Sequence, residues 1–263
     1  MNSFNTLLTA AVTTATLSLA AGTASAATLL ALGADGQLFK IDSSSQKVTA
    51  TMATNSPSPL RGIDVRPANG MLYALSNDHQ LHTLDLATGA ASKVASLNKQ
   101  LPGSGQAVID FNPVADKLRM LAADGTSFRV NVETGEVVVD GSVAYAAEGP
   151  YAGKSAKVVA GAYSNAYAGT QATALYTVDL ASSNLMLQNP PNDGIQQAVG
   201  KIVDGLQNAA LDIASDGKGG NTAYLLTGTT LHTLDLATGK PTTLGDIAGL
   251  PGNIIDIAVL PGM

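Results

Sequence analysis

Nine consecutive residues, Leu-His-Thr-Leu-Asp-Leu-Ala-Thr-Gly, stand at 81–89 and again, letter for letter, at 231–239. An internal copy this long restricts the chain to folds that stack one supersecondary unit many times over. Looser copies at Leu38–Asp42 and Phe128–Gly135 keep the same grammar: alternating apolar residues, then Asp or Asn, then in the longer copies Thr-Gly. The alternation predicts a half-buried strand. The Asp or Asn oxygen accepts from backbone N–H groups two residues on, and glycine tolerates positive φ, so each copy ends in a hairpin turn.

Each copy is preceded by a second strand (70–75, 117–121, 222–226) and, before that, by a strand of Ile-Asp character (63–65, 109–111, 211–213). A further strand follows the turn, as at 137–139 and 242–244. Four short antiparallel strands per unit make a propeller blade. Blades are expected at 60–97, 105–141, 157–203 and 208–248, with Asn189–Gly194 replacing the usual turn in the third of these. Residues 28–53 hold three strands and lack the inner one, and Ile254–Val259 has the missing Ile-Asp-Ile character. The reading is therefore an all-β, five-bladed propeller forming one domain over 27–263, closed by the C-terminal strand pairing with the N-terminal blade. A six-bladed ring or a β-sandwich of the same strands are the alternatives.

Residues 1–26 run from polar Met1–Thr6 through small and apolar residues to Ala24-Ser25-Ala26, an ending that suits signal-peptidase cleavage. The expected location is secreted or periplasmic, although no Lys or Arg precedes the apolar run. The threonine-interrupted stretch is short for a bilayer span, and none is expected in the mature chain. The absence of cysteine leaves stability to burial alone. A net charge of -6 argues against nucleic acid as a partner.

Inner strands line a propeller axis, which makes the recurring Asp64, Asp110, Asp212 and Asp256 the first candidates for chemistry. Convergent carboxylates repel unless a cation neutralises them, and calcium accepts several oxygens in flexible geometry. The structural alternative is that each Asp bonds the backbone of the next blade. All four arginines, Arg61, Arg66, Arg119 and Arg129, fall in two consecutive blades. A guanidinium fork takes carboxylate or phosphate bidentately, so Arg66, Arg119 and Arg129 either hold a small anionic ligand or close an ion network with internal acids. His82 and His232 repeat because the strand repeats, and no further zinc ligands are indicated by the spacing. Motifs for a zinc protease, a serine hydrolase, a P-loop or a dinucleotide site are absent from the sequence. With no Trp and 4% aromatic residues, stacking platforms for sugars are scarce, although Tyr145, Tyr151, Tyr163 and Tyr167 lie close in sequence.

Ile109-Asp110-Phe111-Asn112-Pro113, Leu118-Arg119, Arg129-Val130-Asn131 with Thr134-Gly135, Ala162-Tyr163-Ser164-Asn165 and Gln188–Gly194, taken in order, resemble a family of uncharacterised secreted bacterial proteins that carry a domain of unknown function. The resemblance covers about 60–260. It implies export and a propeller-like fold, and it transfers no catalytic activity. It adds weight to Asp110, Asn112, Arg119, Arg129, Asn131, Tyr163 and Asn165 as ligand-binding residues. Asp64-Val65-Arg66-Pro67 departs from the pattern by placing Arg66 where the next blade has Asn112. The expected function is an exported binding module for a small anionic ligand or an extracytoplasmic protein. A metal-assisted hydrolase, with a cation on the Asp ring, is the alternative.

Overall fold

Hairpins follow hairpins through residues 26–261, the part of the chain that the computed structural model describes, and fold into five sheets set around one axis. The predicted leader, apart from Ala26, lies outside the described residues. Strands β1 (Thr28–Gly33), β2 (Gln37–Asp42) and β3 (Lys47–Ala53) form the outer part of blade 1. Blade 2 is β4 (Leu60–Val65), β5 (Leu72–Ser76), β6 (Gln80–Leu84) and β7 (Ala91–Ser96). Blade 3 is β8 (Val108–Asn112), β9 (Lys117–Leu121), β10 (Ser127–Val130) and a three-residue β11 (Val137–Val139). A short β12 (Ala144–Tyr145) precedes blade 4, made of β13 (Val158–Tyr163), β14 (Leu175–Asp179), β15 (Asn184–Gln188) and β16 (Ile195–Lys201). Blade 5 is β17 (Ala210–Ser215), β18 (Asn221–Thr227), β19 (Thr230–Leu234) and β20 (Pro241–Asp246), and β21 (Ile254–Val259) ends the chain.

The ring closes as the end segments require: β21 pairs antiparallel with β1, Leu29 opposite Val259 and Ala31 opposite Ile257. The chain is a five-bladed β-propeller, and five separate sheets exclude the six-bladed ring and the sandwich. One element departs from the repeat: β12 pairs parallel to β16 and gives blade 4 a fifth strand.

Apolar residues from facing blades fill the space between sheets. Tyr73, Phe111, Leu118, Met120 and Phe128 pack between blades 2 and 3, with Tyr73 and Phe111 edge to face at 5.2 Å. Leu29, Phe39, Tyr224 and Leu231 do the same between blades 1 and 5. Each fully buried Leu or Phe contributes roughly 1.5–3 kcal/mol of transfer free energy.

The repeated turn has a second task. Asp85 Oδ1 accepts from Ala87 N at 3.0 Å and Thr88 N at 2.7 Å, Asp235 Oδ1 accepts from Ala237 N at 2.8 Å, and Asn131 Oδ1 accepts from Glu133 N at 3.1 Å. The glycine that follows each of these leans on the outer strand of the preceding blade. Gly135 has φ 75°, and a Cβ there would sit 2.0 Å from the carbonyl oxygen of Ser96. Gly239 meets Gly200 across the next-but-one junction, where a Cβ would lie 2.6 Å from the Gly200 oxygen.

Candidate functional site

Asp64, Asp110 and Asp212 converge at the axis, each offering a carboxylate oxygen within 4.8 Å of the other two. Asp256, expected as the fourth member of the ring, stands one step away. Cross-strand register puts Leu30 opposite both Lys40 and Ala258, just as Tyr73 lies opposite Thr83 and Asp64. Because Leu38–Asp42 matches Leu81–Asp85, Ala258 is the counterpart of Asp64. The Ile-Asp-Ile likeness misaligns by two residues, and a strand's period of two keeps Asp256 on the same face.

Every one of the four acids clasps a neighbouring blade. Asp256 Oδ2 accepts from Ile63 N at 2.8 Å and Asp64 Oδ2 from Phe111 N at 2.6 Å. Asp110 Oδ1 accepts from Tyr163 N at 2.8 Å and Asp212 Oδ2 from Val259 N at 2.5 Å. Blade 4 presents Ala162 at the equivalent place, opposite Tyr176, and the junction to blade 5 is held otherwise. There the Gln106 Nε2 donates to Val159 O at 3.0 Å and Ala209 O at 3.1 Å, and Asn165 N donates to Asn221 Oδ1 at 2.7 Å.

Burial, joined by the charge of neighbouring acids, pushes the Asp64 and Asp110 carboxyls well above the usual range. Burial pushes Asp256 well up too, and Asp212 to about 6. Asp64, Asp212 and Asp256 use both oxygens on backbone N–H groups. Asp110 Oδ2 has no hydrogen-bond partner among the described residues.

A second polar assembly runs outward along the seam between blades 3 and 4. Asp110, Arg119 and Arg129 are cross-strand neighbours, so all three project from one face of blade 3. Arg119, 1% exposed, donates from Nη1 to Asp140 Oδ2 at 2.5 Å and Ser127 Oγ at 2.9 Å. Its Nη2 donates to Asn192 Oδ1 at 2.7 Å and its Nε to the Tyr163 hydroxyl at 3.3 Å. Arg129, 32% exposed, forks onto Asp140 through Nε at 2.7 Å and Nη2 at 2.8 Å. Burial drives the Asp140 carboxyl upward, but the bonds from Arg129 and Arg119 outweigh it and hold the group below its usual range.

The remaining candidates sit apart. Arg66 lies at the face formed by the loops after β4 and β10, held by Asp116 through Nε at 2.8 Å and by Glu133 at 3.3 Å. Asn112 and Asn131 are turn formers: Asn112 Oδ1 accepts from Val114 N at 3.0 Å and Ala115 N at 2.9 Å. Asn165 also accepts from Asn221 Nδ2 at 2.8 Å and donates to Ala172 O at 2.9 Å. Arg61 is buried with its three nitrogens on the carbonyls of Gly105, Leu101 and Pro102, stapling the linker between blades 2 and 3.

Sequence reasoning missed Asp140, Asp116 and Gln106. Asn192 carried a signal, since it falls within the Gln188–Gly194 motif. Asp140 had none beyond its place at the end of an apolar triplet.

No curated protein matches the chain. Among solved structures, a chain of a nidogen/laminin complex is similar with a TM-score of 0.52 and 11% identity, covering 89% of this chain and 98% of that one. A protein of unknown function from Bacteroides thetaiotaomicron has a TM-score of 0.53 and 17% identity, covering 89% of this chain and 65% of that one. A protein of unknown function from Bacteroides caccae matches at a TM-score of 0.44 and 10% identity over 90% of this chain and all of that one. At such identities the likeness of the first two speaks for the fold alone. The sequence itself matches a family over residues 37–258, nearly the full span of the propeller, and the chain belongs to that family, the domain of unknown function DUF4394.

Proposed function

We propose that this propeller is an exported, non-catalytic binding module that receives an anionic ligand, bearing carboxylate or phosphate, at the rim of the seam between blades 3 and 4. The observation that carries this is the composition of the Arg119–Asp140–Arg129 cluster, in which two guanidiniums share one carboxylate and leave an excess positive charge. Arg129 is partly exposed, and its Nη1 has no partner among the described residues. Arg119 beneath it is fixed by four bonds, which holds the fork's geometry before any ligand arrives. Export rests on the leader-like residues 1–26, and a mature protein recovered from outside the cytoplasm should begin at Ala27.

Titration calorimetry with inorganic phosphate and with citrate tests the ligand class. Arg129→Ala, at a partly exposed position, should fold and bind about tenfold to a hundredfold more weakly, the range for losing one charge-assisted hydrogen bond. Equal affinity in Arg129→Ala and the wild type would end the proposal.

A second reading rests on the axial trio. Three buried carboxylates with no basic group bonded to them are balanced either by protons or by a divalent cation, and calcium suits an all-oxygen site. Asp64 and Asp212 already accept two backbone bonds each, so Asp110 Oδ2 is the best-placed ligand atom. The hydrolase form of this reading needs that metal. Metal analysis of the purified protein, with a chelator melt, decides it: bound metal and a melting point lowered by chelator favour the cation, whereas no bound metal and no shift count against both the cation and the hydrolase.

A further inference from the structure

The connection between blades 3 and 4 is the longest of those that join one blade to the next. It spans 140–157, against 54–59, 97–107, 202–209 and 247–253 at the other junctions. Part of it, β12, is the added parallel strand on the outer edge of blade 4. In a chain with 7 tyrosines and no tryptophan, this segment carries Tyr145 and Tyr151. Beside them lies a cavity of about 320 Å³, bordered by both tyrosines and by Glu148, Pro150 and Gln197. That volume is at the lower end of the roughly 300–1,000 Å³ of small-molecule sites.

We propose that this hollow on the outer edge of blade 4 is a binding site for a neutral saccharide of one or two rings. The two aromatic rings stand 5.2 Å apart at 39°. Each is pinned by its hydroxyl: Tyr145 donates to Asp179 Oδ2 at 2.5 Å, and Tyr151 accepts from Asn184 Nδ2 at 2.7 Å. Tyr145 is buried and backs Tyr151, so the partly exposed Tyr151 ring is set in advance, with little side-chain freedom left to lose when a sugar ring packs its C–H surface on it.

Hydrogen-bonding groups for hydroxyls are at hand. Glu148 is exposed with no partner among the described residues. Gln197 is fixed by its Nε2 bond to Asn189 O at 2.9 Å, which orients its remaining oxygen. The charges select against other ligands. A carboxylate and no basic residue border the cavity, which disfavours anions. The chain's own Lys154 ammonium lies 5.7 Å from the Tyr151 centroid, so a cation is already supplied to that ring. A polar, ring-shaped, uncharged ligand remains.

Saturation-transfer NMR on the full mature chain, with methyl β-glucoside, methyl β-galactoside, N-acetylglucosamine, cellobiose and lactose as probes, tests this. Transfer to ring protons of at least one sugar is expected, with affinity about tenfold weaker in Tyr151→Ala. Lys47→Ala, at an exposed position on the outer strand of blade 1, should bind as the wild type does. No transfer from any probe, or undiminished affinity in Tyr151→Ala, overturns the site. If Tyr151→Ala does not fold, the exposed pair Glu148→Gln with Gln197→Ala decides: weakened binding supports the site, and unchanged binding overturns it.

Discussion

A carboxyl group cut off from water keeps its charge only where a cation or enough donors stand beside it, and Asp64, Asp110, Asp212 and Asp256 are all buried at or beside the axis. Their folded pKa values lie above that of an unfolded aspartate, with Asp212 at about 6. A raised acid contributes stability that is complete below the unfolded value of about 3.9 and is lost as pH climbs through the folded value. Asp116 and Asp140 are shifted the other way, by Arg66 and by Arg129 with Arg119, and contribute stability that is lost on acidification below about 4. The melting temperature should therefore peak between about pH 4 and pH 6 and fall toward pH 8. A melt series across that range checks it, and Asp212→Asn should flatten the alkaline limb. Of these residues, the Ile-Asp repetition made three legible. The register of Asp256 was not, because a shift of two residues leaves the face and the local motif unchanged.

At the scale of the element, the repeated Thr-Gly turn joins local chemistry to assembly. The positive φ was legible from the residue types, whereas the contact of Gly135 with Ser96 was not, since nothing in a turn's own sequence names the strand against which it will lie. The two contributions separate by experiment. Gly70 has φ 69° and open space around the missing Cβ, so Gly70→Ala bears only the backbone term, about 1–2 kcal/mol. Gly135→Ala bears the same term and a collision with a backbone carbonyl, and chemical denaturation should show a loss larger by about 1–3 kcal/mol. Equal losses would show that blade contact adds nothing. The fifth strand of blade 4 escaped the sequence for a related reason: a two-residue pairing has no periodicity to read.

For the whole molecule, closure depends on one six-residue segment. β21 pairs with β1, lies between the inner strands of blades 5 and 2, and brings Ile254, Ile257, Ala258 and the Asp256 clasp into the ring. Deleting 253–263 should cost more than the roughly 5–15 kcal/mol by which domains are stable and abolish cooperative melting. A truncated protein that melts like the full one would contradict the closure. The blade number and the composite blade were legible because strands of one grammar could be counted and the deficit at one end matched the surplus at the other.

The pairing of Leu29 with Val259 joins two segments far apart in sequence, so the blade they share cannot form from local contacts. An aspartate of the unfolded chain is ionised at neutral pH, whereas burial at the axis favours its protonated form. Closing the ring around these acids is therefore coupled to proton uptake, and the acidity of the surrounding solution helps set how firmly it locks.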